Sequence, residues 1–168
     1  MMKYLILGRN TIDKITLINL FLDRNYKLLR SYTTRPKQED DNNNHIFISN
    51  IDVVKYKDKV TETTKNGYYY FTTKKQYDDS DIFIINPRGL NNLLNIYPKL
   101  DFEIIYIKSN STNMRLYDVN ELDEAKQFEY FERIIQKTNN YMGHKVHIIK
   151  NINNLDEFVD KLEGKNND

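Results

Sequence analysis

The chain has 168 residues, enough for one domain with small inserted lobes, and its 25 Lys and Arg against 24 Asp and Glu leave a net charge of +1. With no basic excess, charge lends no support to nucleic-acid binding. The absence of cysteine excludes disulfides, thiolate metal sites and a thiol nucleophile. The apolar run at residues 3–7 is too short for a signal peptide or a membrane span, so the expectation is a soluble cytoplasmic protein with no membrane partner.

In chain order, residues 3–7 (KYLIL) read as a buried strand that ends at Gly8. Residues 14–22 carry Ile15, Leu17, Ile18, Leu20, Phe21 and Leu22 and read as a mostly buried helix. A second strand is expected at 26–30, and a polar stretch from 31 to 50 closes on a strand at 45–48. Residues 51–56 read as a short helix. Two short strands follow at 60–62 and 68–71, parted by a turn at Asn66-Gly67. Residues 81–86 (DIFIIN) and 102–107 (FEIIYI) are core strands, with a helix between them that Pro87 opens. Ala125, Phe128, Phe131 and Ile135 recur at helical spacing within 121–138. A last strand at 145–149 and a last helix at 155–162 complete the pattern. Core strands alternating with helices predict an α/β fold of three layers around a central parallel sheet, the short middle strands forming a small inserted β-lobe.

Residues 8–16 (GRNTIDKIT) stand between the first strand and the first helix, where a phosphate-binding loop belongs. Gly8 and Lys14 match the spacing of G-x-x-x-x-G-K-[ST]. Asp13 replaces the second glycine, adding a side chain and a negative charge where backbone N–H groups would face phosphate. Ile15 replaces the hydroxyl that binds magnesium, and Thr16 could serve only if the helix start shifts by one residue. Further on, residues 31–39 (SYTTRPKQE) are dense in hydroxyls and cations, donors that suit phosphate oxygens.

A strand, this glycine loop and S-x-T-T-R with a following Glu, in this order, resemble guanylate kinase, a P-loop nucleoside monophosphate kinase. The resemblance covers about residues 3–163. It implies a core of residues 1–30, 80–110 and 134–163, an acceptor-binding lobe of 31–79 and a helical lid of 111–133. It also implies roles. Ser31 and Arg35 stand at the family's ligands for the GMP phosphate, Glu39 at its Glu, and His45 in place of a phosphate-binding Tyr; Gln38 replaces a second arginine. Glu62, to within one residue, is the nearest candidate for the Glu that reads guanine N1 and N2. Tyr70 and Thr72 match the positions that approach the phosphate and guanine O6. Asn86 falls at a guanine-side Asp, and Ile84 at an Asp of the metal site. Arg115 and Arg133 resemble lid arginines, with Val119 in place of another, and Asn151 resembles a residue of the adenine side.

Two readings of function stand side by side. One is an enzyme that moves the γ-phosphoryl of ATP, with Mg²⁺, onto GMP or dGMP, with Lys14, Arg115 and Arg133 steadying the transferring group. The other is a catalytically silent module of the same fold that binds a nucleotide or a protein partner, since the replacements at Asp13, Ile15, Gln38, Ile84 and Val119 fall on separate parts of the machinery. A narrower third reading, altered acceptor specificity, is permitted by the asparagine at 86 and the histidine at 45.

Overall fold

Tyr4, Leu5, Ile6 and Leu7 are apolar on both faces of a strand, and such a strand is stable only where helices cover both sides of a sheet. The computed structural model describes residues 2–39, 45–108 and 119–164, with the backbone alone for 119–122. In chain order its elements are β1 (Tyr4–Gly8), α1 (Thr11–Asp23), β2 (Ser31–Thr33), β3 (His45–Phe47), β4 (Lys59–Lys65), β5 (Tyr68–Thr73), α2 (Lys74–Asp79), β6 (Ile82–Ile84), α3 (Pro87–Ile96), β7 (Glu103–Ile107), α4 (Val119–Ile135), β8 (Asn140–Tyr141), β9 (His144–Ile149) and α5 (Leu155–Leu162).

The main sheet has the order β6-β1-β7-β9-β8, parallel except for β8 at one edge. β1 is central and pairs with β6 and β7. Leu5 and Leu7 pack on one face with Leu90 and Leu93 of α3 and Phe128 and Phe131 of α4. Tyr4 and Ile6 pack on the other with Leu17 and Phe21 of α1 and Leu155 and Val159 of α5. Arg24, just past α1, ties that layer together through Asp160 at 2.9 Å and Asp156 at 3.1 Å on α5.

A second sheet, β3-β2-β5-β4, spans the middle of the chain. The β4–β5 hairpin turns at Asn66 (φ 54°) and Gly67 (φ 79°), two successive left-handed residues that match the twist of a tight hairpin and suit Asn-Gly. Val60 anchors this lobe in the main core beside Leu90.

The apolar core strands and the last helix fall where periodicity predicts. Several elements differ, among them the two-residue strand β8, which goes unread in the sequence. α1 starts at Thr11 rather than 14, because the Asn10 side chain accepts a hydrogen bond from Asp13 N at 3.1 Å and caps a helix there. The strand expected at 26–30 is reduced to a single bridge, Leu28 to Ile82, and the extended run lies at Ser31–Thr33 instead. α2 goes unread in the sequence, although Thr73 and Gln76 form a capping box at its start. Among the described residues no helix is long and apolar enough to cross a membrane.

Leu90 is fully buried where the sheet, α3 and the lobe meet. Leu90→Ala is expected to cost about 2–5 kcal/mol of folding stability, read from urea unfolding.

Candidate functional site

The helix after β1 covers one face of the sheet and the helices after β6 and β7 cover the other. Neighbouring strands whose connections leave to opposite faces open a crevice at their carboxyl ends, the usual ligand position in such sheets. A cleft of about 570 Å³ lies there, between the main sheet and the lobe. Gly8 and Lys14 border it from β1 and α1, and Ile84, Asn86, Arg88 and Gly89 from the end of β6 and the start of α3. Ser31, Arg35, His45, Thr61, Thr63, Lys65 and Tyr70 border it from the lobe, and Glu124 and Phe128 from α4.

Gly8 sits against β7: a Cβ placed on it would lie 3.3 Å from both Cβ and O of Ile107. The chain then turns into α1 within two residues, which sets Lys14 over the crevice. Lys14 also borders a groove of about 600 Å³ along α1 and the segment from Tyr26 to Arg30. It is half-buried between the two, and burial lowers its pKa from the ordinary lysine value while the Glu124 carboxylate opposes that shift.

The first turn of α1 occupies the place of the expected phosphate loop. Asp13 N donates to Asn10 Oδ1, and Lys14 N donates to Asn10 O at 3.2 Å. The Thr16 hydroxyl donates to Ile12 O at 2.9 Å and is committed to its own helix. Ile84 borders the cleft and supplies no ligand. Thr16 and Ile84 therefore do not form a protein-held magnesium site at the expected place. Among the described residues there is also no group of three or more acidic or histidine side chains able to hold a metal.

The lobe side is polar and cationic. Tyr70 packs edge-on against His45, ring centroids 5.6 Å apart. Arg35 lies over the Phe47 ring at 5.3 Å, and its backbone N donates to Thr33 Oγ1 at 3.1 Å. Asn86 caps α3, its Oδ1 accepting from Gly89 N at 2.7 Å. Arg88 clamps α3 to α4 through two contacts of 2.9 Å to Asp123, which hold the Asp123 carboxyl below its usual range.

Of the residues picked out in the sequence, the cleft brings together Gly8, Lys14, Ser31, Arg35, His45, Tyr70 and Asn86. Glu62 borders it by its place in β4, but its carboxylate is turned to the other face of the lobe sheet. There it accepts from Tyr69 Oη and stands 3.7 Å from Lys59 Nζ. Glu62 thus borders the cleft while its carboxylate is partnered by Tyr69 and Lys59. Asp13, Thr16, Glu39, Thr72 and Arg133 are not among the residues that border it. Thr72 is buried behind Thr61, with the two hydroxyls 2.6 Å apart, and Arg133 is exposed on α4. Asn151 Oδ1 accepts from Asn153 N. Arg115 and the start of the expected lid lie outside the described residues. Sequence reasoning missed Thr61, Thr63, Lys65, Arg88, Glu124 and Phe128; Glu124 and Phe128 are spaced i, i+4 on a helix, a signal for one shared face.

Burial makes Lys14 costly to fold. Its native pKa lies below its unfolded value, so the native state binds its proton less readily, and the cost is present below the native pKa and relieved as pH rises through it. Lys14→Met is expected to be more stable than the parent at pH 7, with the gap narrowing toward pH 10, both read from urea unfolding.

No family model matches the sequence, and no curated protein matches it. Among solved structures, the crystal structure of guanylate kinase from Anaplasma phagocytophilum superposes with a TM-score of 0.56 at 14% identity, over 99% of this chain and 87% of that one. At that identity the likeness speaks for architecture alone: the chain has a guanylate-kinase-like fold.

Proposed function

We propose that the chain binds a nucleoside 5′-monophosphate in this cleft and transfers to it the γ-phosphoryl of magnesium-bound ATP, as a guanylate-kinase-like nucleotide kinase. The observation that carries the reading is convergence: Lys14, Ser31, Arg35, His45, Tyr70 and Asn86 come from separate segments and border one cleft at the carboxyl ends of a parallel sheet. GMP or dGMP is the acceptor that the sequence resemblance implies.

On this reading Ser31, Arg35, His45 and Tyr70 hold the acceptor phosphate, whose charge matches guanidinium and hydroxyl donors. Lys14 offsets negative charge on the transferring group. No general base is required, because an ionised phosphate oxygen is itself the nucleophile and catalysis is positioning and electrostatics. The expected lid of residues 111–133, including Arg115 and Arg133, would complete the donor side. Magnesium enters with ATP as part of the substrate.

One observation favours a second reading, a module that binds a monophosphate or a protein partner without transfer. The N–H groups of Asp13 and Lys14 are already committed to Asn10 and to the first turn of α1, where an ATP site would direct them at phosphate.

Calorimetric titration of monophosphates, together with a coupled phosphoryl-transfer assay, separates the two. The kinase reading expects turnover that Lys14→Ala abolishes. Binding without turnover identifies the module. In either case Arg35→Ala is expected to weaken monophosphate binding by about 1.5–3 kcal/mol, roughly 10- to 150-fold. An unchanged affinity would remove Arg35 from the site.

A further inference from the structure

The register of the β4–β5 hairpin decides which groups the lobe can show to a bound base, given the monophosphate reading above. Directly opposed residues of an antiparallel ladder share a face, and successive residues alternate. Thr61 lies opposite Thr72 and Thr63 opposite Tyr70, and of these Thr61, Thr63 and Tyr70 border the cleft, as Glu62 and Phe71 also do by their place in the strands. Glu62 lies opposite Phe71, on the other face, where Phe71 stacks on Tyr32 at 5.2 Å.

Two further observations hold the carboxylate there. It accepts from Tyr69 Oη, and Lys59 Nζ is 3.7 Å away while also lying over the Tyr69 and Phe71 rings. The register is pinned at one end by the irregularity between Lys59 and Thr61 and at the other by the Asn66-Gly67 turn. A one-residue slip that would turn the Glu62 carboxylate toward the cleft would have to undo both. Among the described residues the other acid that borders the cleft, Glu124, sits on α4 within electrostatic reach of Lys14. Asn86 has its amide oxygen engaged by Gly89 N, so the group it offers is its NH₂ donor.

We infer that, among the described residues, the base subsite on the lobe presents no carboxylate, being built of the Thr61 hydroxyl (backed by Thr72), Thr63 and the Asn86 amide, and that it accepts 6-oxopurine monophosphates without reading the 2-amino group. Guanine presents two adjacent donors, N1–H and the 2-amino group. A carboxylate takes both, whereas hypoxanthine, which lacks the amino group, leaves that carboxylate half used. A carboxylate reader therefore favours GMP over IMP by roughly 10- to 100-fold, and a neutral hydroxyl and amide wall does not.

The test is calorimetric titration of GMP and IMP into the full chain, Glu62→Gln and Thr61→Glu. Affinities for the two nucleotides within about threefold, unchanged in Glu62→Gln, support the inference. In Thr61→Glu a carboxylate enters the cleft face and GMP becomes favoured by about tenfold or more. A GMP preference of that size in the unaltered chain overturns the inference, as does loss of GMP binding in Glu62→Gln. The unaltered chain and Glu62→Gln decide the matter even where Thr61→Glu fails to fold. Absence of binding by any monophosphate overturns the functional reading itself, and with it this inference.

Discussion

β1 is paired on both sides, to β6 and to β7, and the helices that leave β1 and β6 lie on opposite faces of the sheet. That arrangement opens the crevice, and each feature of the site is a consequence of it. The end of β1 is crowded because β7 continues beside it. A Cβ on Gly8 would press on Ile107 at 3.3 Å, a tight contact that glycine avoids. The chain then has two residues in which to leave the sheet before α1 begins, which suspends Lys14 over the cleft in partial burial. A cation held there at a cost in stability is intelligible if the position serves an anion rather than the fold.

The lobe solves a different problem. It is a four-stranded sheet too small for a core of its own, and it divides its residues by parity. One face gathers Tyr32, Tyr56, Tyr69 and Phe71 into a ring cluster, with Tyr32–Tyr56 centroids 4.5 Å apart and Tyr69–Phe71 centroids 5.5 Å apart. Burial, together with the bond to Glu62, pushes the Tyr69 hydroxyl up to about 12, so it stays protonated and donates to that carboxylate at any ordinary pH. The other face carries hydroxyls, an imidazole and cations toward the cleft. The aromatic face stiffens the sheet and fixes the register, and the polar face inherits its geometry. Glu62 belongs to the first of these, a member of the packing arrangement that keeps Thr61, Thr63 and Tyr70 in place.

What could be read in advance divides along the same physical lines. The central strands were legible because burial on both faces demands apolar runs, and residues 4–7 and 104–107 are such runs. Gly8 and Lys14 were legible from a half-met loop motif, and Ser31, Arg35, His45, Tyr70 and Asn86 through the resemblance to guanylate kinase. The start of α1 was not, because a half-met loop motif competed with the Asn10 cap and the cap prevailed locally. The facing of Glu62 was not, because alternation within 60–65 depends on an irregularity at Lys59–Thr61 that only the pairing with β5 defines. Arg88 and Glu124 border the cleft through the docking of α3 against α4, a tertiary contact that no local pattern carries.

The capped first turn of α1 does not by itself close the donor side, and magnitudes show why. Breaking the Asn10 cap costs about 1 kcal/mol. Asn10 and Asp13 are weak helix formers in any case, so unwinding one turn forfeits little propensity. Each backbone N–H released in this way gains a charge-assisted hydrogen bond to a phosphate oxygen, worth about 1.5–3 kcal/mol. Two such bonds outweigh the cap. Against them stands the carboxylate of Glu124, which borders the cleft near Lys14 and opposes a polyphosphate there. The balance therefore rests on charge more than on backbone conformation. On the proposed reading, the Glu124 carboxylate is the greater obstacle to ATP, and the helical turn that stands in place of the loop is the lesser one.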